Sequence, residues 1–185
     1  MRSAQRAVPS DRRANRGKTW ERECEASRAL YMSRRSVSCW FRCHPEVKVT
    51  KAFAKGQIQG FIKAKGPPDV VVAITDGPVL LADFKDSSAD RFSLSNISTH
   101  QAQRFDEWHG PGRAAAVLLR LQGRRFVVPW EPLRIAVQSW HQSRAEHGRA
   151  QAGSASLSLE QLQEVGLPFD SSGWLEPLMS WWRSQ

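Results

Sequence analysis

Cysteine is scarce in this sequence, and long apolar runs are absent. Its three cysteines, Cys24, Cys39 and Cys43, are an odd number in 185 residues, which argues against a disulfide-stapled secreted scaffold. Although His44 follows Cys43, no second pair of ligands follows at the spacing of a zinc site, so we expect no zinc. No apolar stretch approaches the length of a membrane span or forms a signal-peptide core. We therefore expect reduced thiols, a cytoplasmic location and no membrane partner.

Acidic residues are also scarce, but only in the first third of the chain. Residues 1–65 contain 16 Lys and Arg and only 5 Asp and Glu, whereas residues 66–185 contain 11 and 13. The formal net charge is +9 and the isoelectric point is about 10.2. A basic region joined to a nearly neutral one favours a polyanionic partner, with nucleic acid as the first candidate. An arginine-rich composition on an ordinary soluble surface is the alternative.

Two carboxylates flank a predicted β-hairpin in the middle of the chain. Pro68-Asp69 precedes an apolar run at 70–74, Asp76-Gly77-Pro78 forms a turn signal, and a second apolar run leads to Asp83-Phe84-Lys85. Side chains alternate across a strand, so Asp83 and Lys85 share one face.

The position of Asp69 depends on the hairpin register. A loop at 76–78 would pair Thr75 with Val79 and place Asp69 opposite Lys85, on the same face as Asp83, whereas an even loop would reverse Asp69. Two carboxylates beside an ammonium suit Mg²⁺, a hard cation that favours oxygen ligands, and suit metal-assisted hydrolysis of a phosphodiester. Charged residues at a solvated strand edge are the alternative.

Two other catalytic signatures are missing. A Gly-x-Ser-x-Gly elbow does not occur, which disfavours a serine nucleophile. His100 and His109 could suggest a nuclease with a histidine base, but the ββα arrangement with Asn or a second His on its helix is not found.

The order of predicted elements indicates one α/β domain. We expect a disordered basic arm at 1–17, a core at 18–148, and a linker and helical tail at 149–185 that packs on the core or on a dimer partner. The core begins with a helix at 18–34 and a strand at 36–43, and a later helix starts at Ser98 or Thr99. The lysine-rich, glycine-punctuated segment at 45–66 predicts a protruding basic hairpin or loop, or alternatively an edge strand protected by lysines.

This order, with Pro-Asp and Asp-x-Lys at its centre, resembles the PD-(D/E)XK nuclease superfamily and, more narrowly, RecU-type Holliday junction resolvases. Residues 15–21, Asn-Arg-Gly-Lys-Thr-Trp-Glu, resemble the entry into that family's first helix. Residues 92–101, Phe-Ser-Leu-Ser-Asn-Ile-Ser-Thr-His-Gln, resemble the segment after its catalytic strand. The insert at 45–66 lies where RecU-type enzymes carry a stalk. The likeness covers about residues 15–130.

The resemblance implies a restriction-endonuclease-like core, with a mixed central β-sheet flanked by helices and a short basic insert. It implies a metal-dependent endonuclease that cuts four-way DNA junctions by paired symmetric nicks as a homodimer, in a bacterial cell or in host cytoplasm if the chain is phage-encoded. Mg²⁺ would be the cofactor, Mn²⁺ would substitute, and no small-molecule cofactor is expected. The alternatives are a nuclease for flaps, duplex ends or restriction-type sites, and a non-catalytic DNA-binding protein.

The resemblance also implies roles for individual residues. Asp69 and Asp83 would bind the metal with the Phe84 carbonyl, Glu21 would complete its coordination, and Glu25 is the fallback ligand. Lys85 would orient or help deprotonate the attacking water, and Gln101 would hydrogen-bond the scissile backbone or that water. Asp83 departs from the family, which commonly has Glu there. The expected DNA contacts are Arg16, Lys18, Lys48, Lys51, Lys55, Lys63, Lys65, His100 and Arg104.

Overall fold

A six-stranded sheet forms the centre of the fold in the computed structural model, which describes residues 10–44, 46–54, 58–64, 68–147, 155–170 and 173–185. Five helices and ten strands are assigned within these ranges. In chain order they are α1 (Ser10–Ser33), β1 (Val37–Arg42), β2 (Glu46–Ala52), β3 (Ile58–Ala64), β4 (Val70–Ile74), β5 (Val79–Ser87), β6 (Phe92–Ser93), α2 (Thr99–Trp108), β7 (Arg113–Leu121), β8 (Arg124–Pro129), α3 (Trp130–His147), β9 (Ser156–Leu157), α4 (Leu159–Val165), β10 (Leu167–Phe169) and α5 (Leu175–Arg183).

The central sheet is mixed. Its strand order is β1-β4-β5-β7-β8-β10, and β5 and β7 pair in parallel while the other neighbours pair antiparallel. Helix α2 lies in the connection between β5 and β7, as a parallel pair requires a crossover. The predicted fold class, a mixed central sheet flanked by helices, is confirmed.

Helices cover both faces of this sheet, which explains the nearly continuous apolar runs of β5 and β7. Trp20, Tyr31 and Trp174 belong to the core on the face covered by α1 and α5. Phe105 and Trp130 belong to the core on the other face, covered by α2, α3 and α4. No helix in the described ranges is long and apolar enough to cross a membrane.

The two cores assign each residue of β5 to a face. Leu80 and Phe84 pack in the α1 core, whereas Leu81 packs in the α2 core. Because side chains alternate along a strand, Asp83 and Lys85 project toward α2.

The basic insert is a separate two-stranded ribbon. Strands β2 and β3 pair antiparallel with each other and form a sheet of their own. This arrangement favours the predicted hairpin over an edge strand of the central sheet. Residues 55–57, between the two strands in sequence, and residues 65–67 lie outside the described residues.

The two ends of the chain add to the expected domain organisation. Helix α1 begins at Ser10 and so includes residues 10–17, which were expected in the basic arm, while residues 1–9 lie outside the described residues. The expected tail includes segments that pack on the core, because β10 extends the sheet at β8 and α5 packs in the α1 core. Residues 148–154, which contain most of the expected linker, lie outside the described residues.

Candidate active site

The two candidate metal ligands lie opposite each other at one end of the β4–β5 hairpin. The last ladder pair is Val70 with Ala82, so continuing the register by one residue aligns Asp69 with Asp83. Directly opposed residues share a face of the sheet, so both carboxylates lie on the α2 face with Lys85.

The turn of this hairpin differs from the expected one. The loop is residues 75–77, because Ile74 pairs with Pro78 through a hydrogen bond from the Ile74 amide to the Pro78 carbonyl (3.3 Å). Asp76 takes up the left-handed backbone conformation that the turn requires, with φ of 54°. The expected register is therefore wrong, because it placed Asp69 opposite Lys85, two residues beyond its actual partner Asp83. The loop is still odd, so the predicted shared face is retained.

Backbone hydrogen bonds fix Asp69 from two sides. The Phe84 amide donates to Asp69 Oδ2 (2.7 Å), and the Cys43 amide donates to the Asp69 carbonyl (2.7 Å). Hydrogen-bonded positions alternate along an antiparallel strand, and Phe84 is an even number of residues from Pro78, which bonds Ile74. The amide and carbonyl of Phe84 therefore both point toward the β4 side of β5. The carbonyl that the family resemblance implies as a metal ligand thus lies on the same side of the strand as Asp69.

Asp83 is the one buried charged residue in the described ranges, with 1% of its surface exposed. Its Oδ2 lies 2.6 Å from Lys85 Nζ, and its Oδ1 accepts a hydrogen bond from Gln101 Nε2 (2.9 Å). Burial raises the pKa of this carboxyl from 3.8 to about 7; the Lys85 ammonium opposes the rise and the Asp69 charge adds to it. Burial therefore disfavours the ionised form of Asp83, and a second cation nearby would stabilise it.

Gln101 reaches the site from the first turn of α2, where a capping box with Ser98 holds it. The Ser98 hydroxyl accepts from the Gln101 amide (3.2 Å), and Gln101 Oε1 accepts from the Ser98 amide (3.1 Å). The same Oε1 lies 3.4 Å from Lys85 Nζ. Gln101 therefore bridges Asp83 and Lys85. Its contact with the scissile backbone or the attacking water stays a prediction.

Glu21 does not join this network. Its Oε2 pairs with Arg42 (3.1 Å), and the fallback ligand Glu25 pairs with the same guanidinium (2.9 Å). Arg42 lies directly opposite Val70, which packs in the α1 core, so these ion pairs form on the face away from Asp83. The structure places both glutamates with an arginine instead of with the expected carboxylates.

The remaining donors fit a divalent cation of the Mg²⁺ type. Among the described residues no group of three or more His, Cys, Asp and Glu side chains could hold a metal ion by itself. Mg²⁺ is commonly held by one or two carboxylates together with waters and substrate phosphates. Asp69 and Asp83 supply that number. Burial, with the Asp69 charge adding to it, raises the pKa of Asp83, so a cation beside the carboxyl would favour its ionised form.

Three of the predicted DNA-contact lysines, Lys48, Lys51 and Lys63, lie in the strands of the ribbon. Lys48 and Lys51 are exposed on β2, with their ammonium groups 5.7 Å from the Phe61 ring centre and 5.0 Å from that of Phe53. Both rings are themselves exposed. The ribbon therefore presents cationic and aromatic groups together, a combination that suits single-stranded nucleic acid.

Four other predicted DNA contacts lie on helices: Arg16 and Lys18 on α1, and His100 and Arg104 on α2. Lys18 is exposed on α1, and His100 is half-buried in the first turn of α2. Arg104 is exposed but pairs with Glu107 (2.7 Å). Lys55 and Lys65 lie outside the described residues, and the side chains of Arg16 and Lys63 are not described either.

His141 is a contributor that sequence reasoning missed. From α3 its Nε2 contacts the Ile97 carbonyl (3.1 Å) and its Nδ1 contacts the Thr99 hydroxyl (3.3 Å). A carbonyl only accepts, so Nε2 carries the proton. The ring therefore holds both neighbours of Ser98, the residue that caps α2 and orders Gln101. No local signal links position 141 to position 97, because the contact depends on how α3 packs on α2.

An ion-pair network lies on the α1 face of β5, opposite the face that carries Asp83 and Lys85. Arg120 bonds Asp86 Oδ2 (2.8 Å) and Glu23 Oε1 (2.7 Å), and Glu23 also pairs with Arg125 (3.2 Å). Asp86 follows Lys85 on β5, so the network joins this end of β5 to α1 and β8. It holds the strand that carries the candidate catalytic residues.

Comparison with solved structures shows similarity to a junction-resolving enzyme. The chain is similar to the Holliday junction resolvase Hjc of the archaeal hyperthermophile Archaeoglobus fulgidus, with a TM-score of 0.42 and 17% identity over 82% of this chain and 95% of that one. No protein-family model matches the chain, and no curated protein matches it.

The raised pKa of Asp83 predicts a pH-dependent stability in the absence of divalent cations. The folded protein binds this proton more tightly than the unfolded chain, so the free energy of unfolding should fall as the pH rises from about 4 to about 7. The fall should be roughly 4 kcal/mol in all. Asp83→Asn removes the titrating group, so in EDTA it should be more stable than the parent protein at about pH 8 and not at about pH 4. Urea titrations at several pH values measure this difference.

Asp76→Asn is the matched control for that experiment. Asp76 is exposed in the hairpin turn, and Asn tolerates its left-handed backbone equally well. Its pH profile should follow that of the parent. Equal profiles for Asp83→Asn and the parent would show that Asp83 ionises normally in the folded protein.

The contacts of His141 predict local loosening of α2. In His141→Ala, amide hydrogen exchange in the first turn of α2 should accelerate by roughly fivefold, the equivalent of one hydrogen bond worth about 1 kcal/mol. His141→Gln retains a donor and should restore part of the protection. Gln138→Ala is the control, because Gln138 bonds Asp106 (2.9 Å) and also joins α3 to α2, but farther along the helix. Equal acceleration in the two alanine variants would contradict this role.

Proposed function

We propose that this protein is a metal-dependent endonuclease that resolves four-way DNA junctions. The observation that carries the proposal is the convergence of Asp69, Asp83, Lys85 and Gln101 at one end of one hairpin, with Asp83 buried and its pKa raised to about 7. Groups with strongly shifted pKa values in such a constellation are candidates for catalysis. The motifs that resemble RecU-type resolvases support the choice of substrate.

Each residue receives a role from its contacts. Asp69 and Asp83 would hold the divalent cation, with the Phe84 carbonyl as a further oxygen ligand. That cation would neutralise charge on the phosphate and lower the pKa of a bound water. Lys85, kept in place by Asp83 and Gln101, would donate to the phosphate or orient the attacking water. Gln101 would keep the Asp83 carboxylate and the Lys85 ammonium in register.

DNA would bind through the basic first third of the chain. The exposed Lys48 and Lys51 would contact phosphates, so affinity should fall steeply with salt. A junction presents two opposed strands, which a two-fold homodimer with two active sites could cut together. We therefore propose a homodimer as the active form.

Cleavage assays with a labelled four-way junction and a linear duplex test the proposal. With Mg²⁺ the parent protein should nick the junction symmetrically, and with EDTA it should not. Asp83→Asn should lower the cleavage rate by about 100-fold or more, since it removes a metal ligand and the charge balance of Lys85. Its junction affinity should be equal or higher, because one negative charge beside the DNA is lost.

Mg²⁺ binding can be measured without DNA. The cation should raise the Tm of the parent protein and of the Asp76→Asn control, but not that of Asp83→Asn. Full cleavage by Asp83→Asn would refute the site. Equal cutting of linear duplex would favour a nuclease for other DNA, and binding without cutting in Mg²⁺ would favour a non-catalytic DNA-binding protein.

The ribbon gives a separate prediction about binding. Lys48→Glu with Lys51→Glu should weaken junction binding at least tenfold at moderate salt and flatten its salt dependence, because two phosphate contacts are replaced by repulsion. Both residues are exposed, so the Tm should hardly change. An unchanged affinity would show that the ribbon has a structural role.

A further inference from the structure

Phe41 lies on the same face of the sheet as the candidate catalytic residues. It is directly opposite Val71 on β4, and Val71 is directly opposite Leu81 on β5, which packs beneath α2. Opposed residues share a face, so the Phe41 ring projects on the side of Asp69 and Asp83. Phe41 is the diagonal neighbour of Asp69 across the β1–β4 pair, at roughly 7–8 Å between Cα atoms.

Packing does not require an aromatic side chain at this position. Phe41 is 62% exposed and belongs to neither core, whereas the adjacent Trp40 is buried on the α1 face. β1 is an edge strand of the central sheet. Exposed apolar side chains on an edge strand favour aggregation, and charged ones usually protect such edges. The Phe41 ring thus adds a risk of aggregation that a polar residue at this position would avoid.

The surroundings of Phe41 favour a nucleotide as the group that covers the ring. The face beside it carries the carboxylates and Lys85, where the phosphate would lie under the proposed function. The chain enters the ribbon with its lysines just beyond Arg42, and residues 1–65 are strongly basic. This positive charge disfavours a cationic protein partner and favours a polyanion. An aromatic ring beside a phosphate site suits a nucleobase, because every base offers a π-face.

We propose that Phe41 is a stacking platform for an unpaired nucleobase next to the phosphodiester that is cut. The proposal rests on the proposed nuclease function and specifies its substrate. Both faces of a base inside a continuous duplex are covered by neighbouring bases, so Phe41 can stack only where a base is unstacked. The enzyme would thus favour DNA with an exposed nucleotide at a branch point, gap or end over uniform duplex.

A fluorescence experiment with 2-aminopurine tests this stacking. The base is placed in turn at each position flanking the branch of an immobile junction, and the full chain carrying Asp83→Asn is added in Mg²⁺. Stacking on the ring should quench the fluorescence at one position. Phe41→Ala in this background should abolish that quenching and weaken junction binding by about 5- to 100-fold.

Three variants separate stacking from other effects. Phe41→Trp should keep the quenching, whereas Phe41→Leu, which is apolar without a flat π-face, should lose it. Ile135→Ala removes an even more exposed apolar side chain, 75% exposed on α3, and should leave both readouts unchanged. Phe41 is 62% exposed and belongs to neither core, so the Tm of its variants should stay close to that of the parent.

The outcomes distinguish this proposal from the nuclease function. Quenching that depends on Phe41, with no cleavage by the parent protein, would support the platform and refute the nuclease. Cleavage by the parent with unchanged quenching and affinity in Phe41→Ala would refute the platform alone. Equal losses of affinity for junction and continuous duplex would refute it too, as would a changed sedimentation coefficient, which would assign Phe41 to an interface between copies of the chain.

Discussion

The alternation of side chains along two paired strands is the constraint on which the candidate site depends. Asp69 directly precedes β4 and Asp83 lies on β5, and they face each other only because these two strands pair in one register. That register also selects the face: Leu81 and Asp83 lie beneath α2, while Phe84 packs against the α1 core. A single choice of pairing thus brings the carboxylates together and directs them to the helix that supplies Gln101.

The site contains a carboxylate whose ionised form is electrostatically unfavourable, and the surrounding fold holds it in place. Burying Asp83 beside Asp69 disfavours ionisation, and Lys85 offsets only part of that effect. The strained group is held from both faces of its strand, by the capped start of α2 on one and by the Arg120 ion pairs on the other. Such support preorganises charged groups before a substrate arrives, which is the condition for efficient electrostatic catalysis.

Sequence rules correctly predicted the features that depend on neighbouring residues along the chain. Alternation gave the shared face of Asp83 and Lys85, and the turn residues gave an odd loop and therefore the face of Asp69. The loop itself was misplaced because Pro78, a strong turn former, lacks an amide proton but still closes a strand pair through its carbonyl. The pairing of Glu21 with Arg42 and the bracing by His141 depend on how whole helices rotate and pack. Strand β10 has three residues including a proline, too few for any periodicity.

The odd turn at residues 75–77 has a consequence for how this chain can diverge. Its composition is restricted at two positions, because Asp76 has a left-handed backbone and a Cβ at Gly77 would lie 2.7 Å from Met179 Cε. Its length is restricted for a different reason, since the gain or loss of one residue would invert every side chain on one strand relative to the other and carry Asp69 to the opposite face of the sheet. Insertions and deletions in this turn can therefore be tolerated only in steps of two.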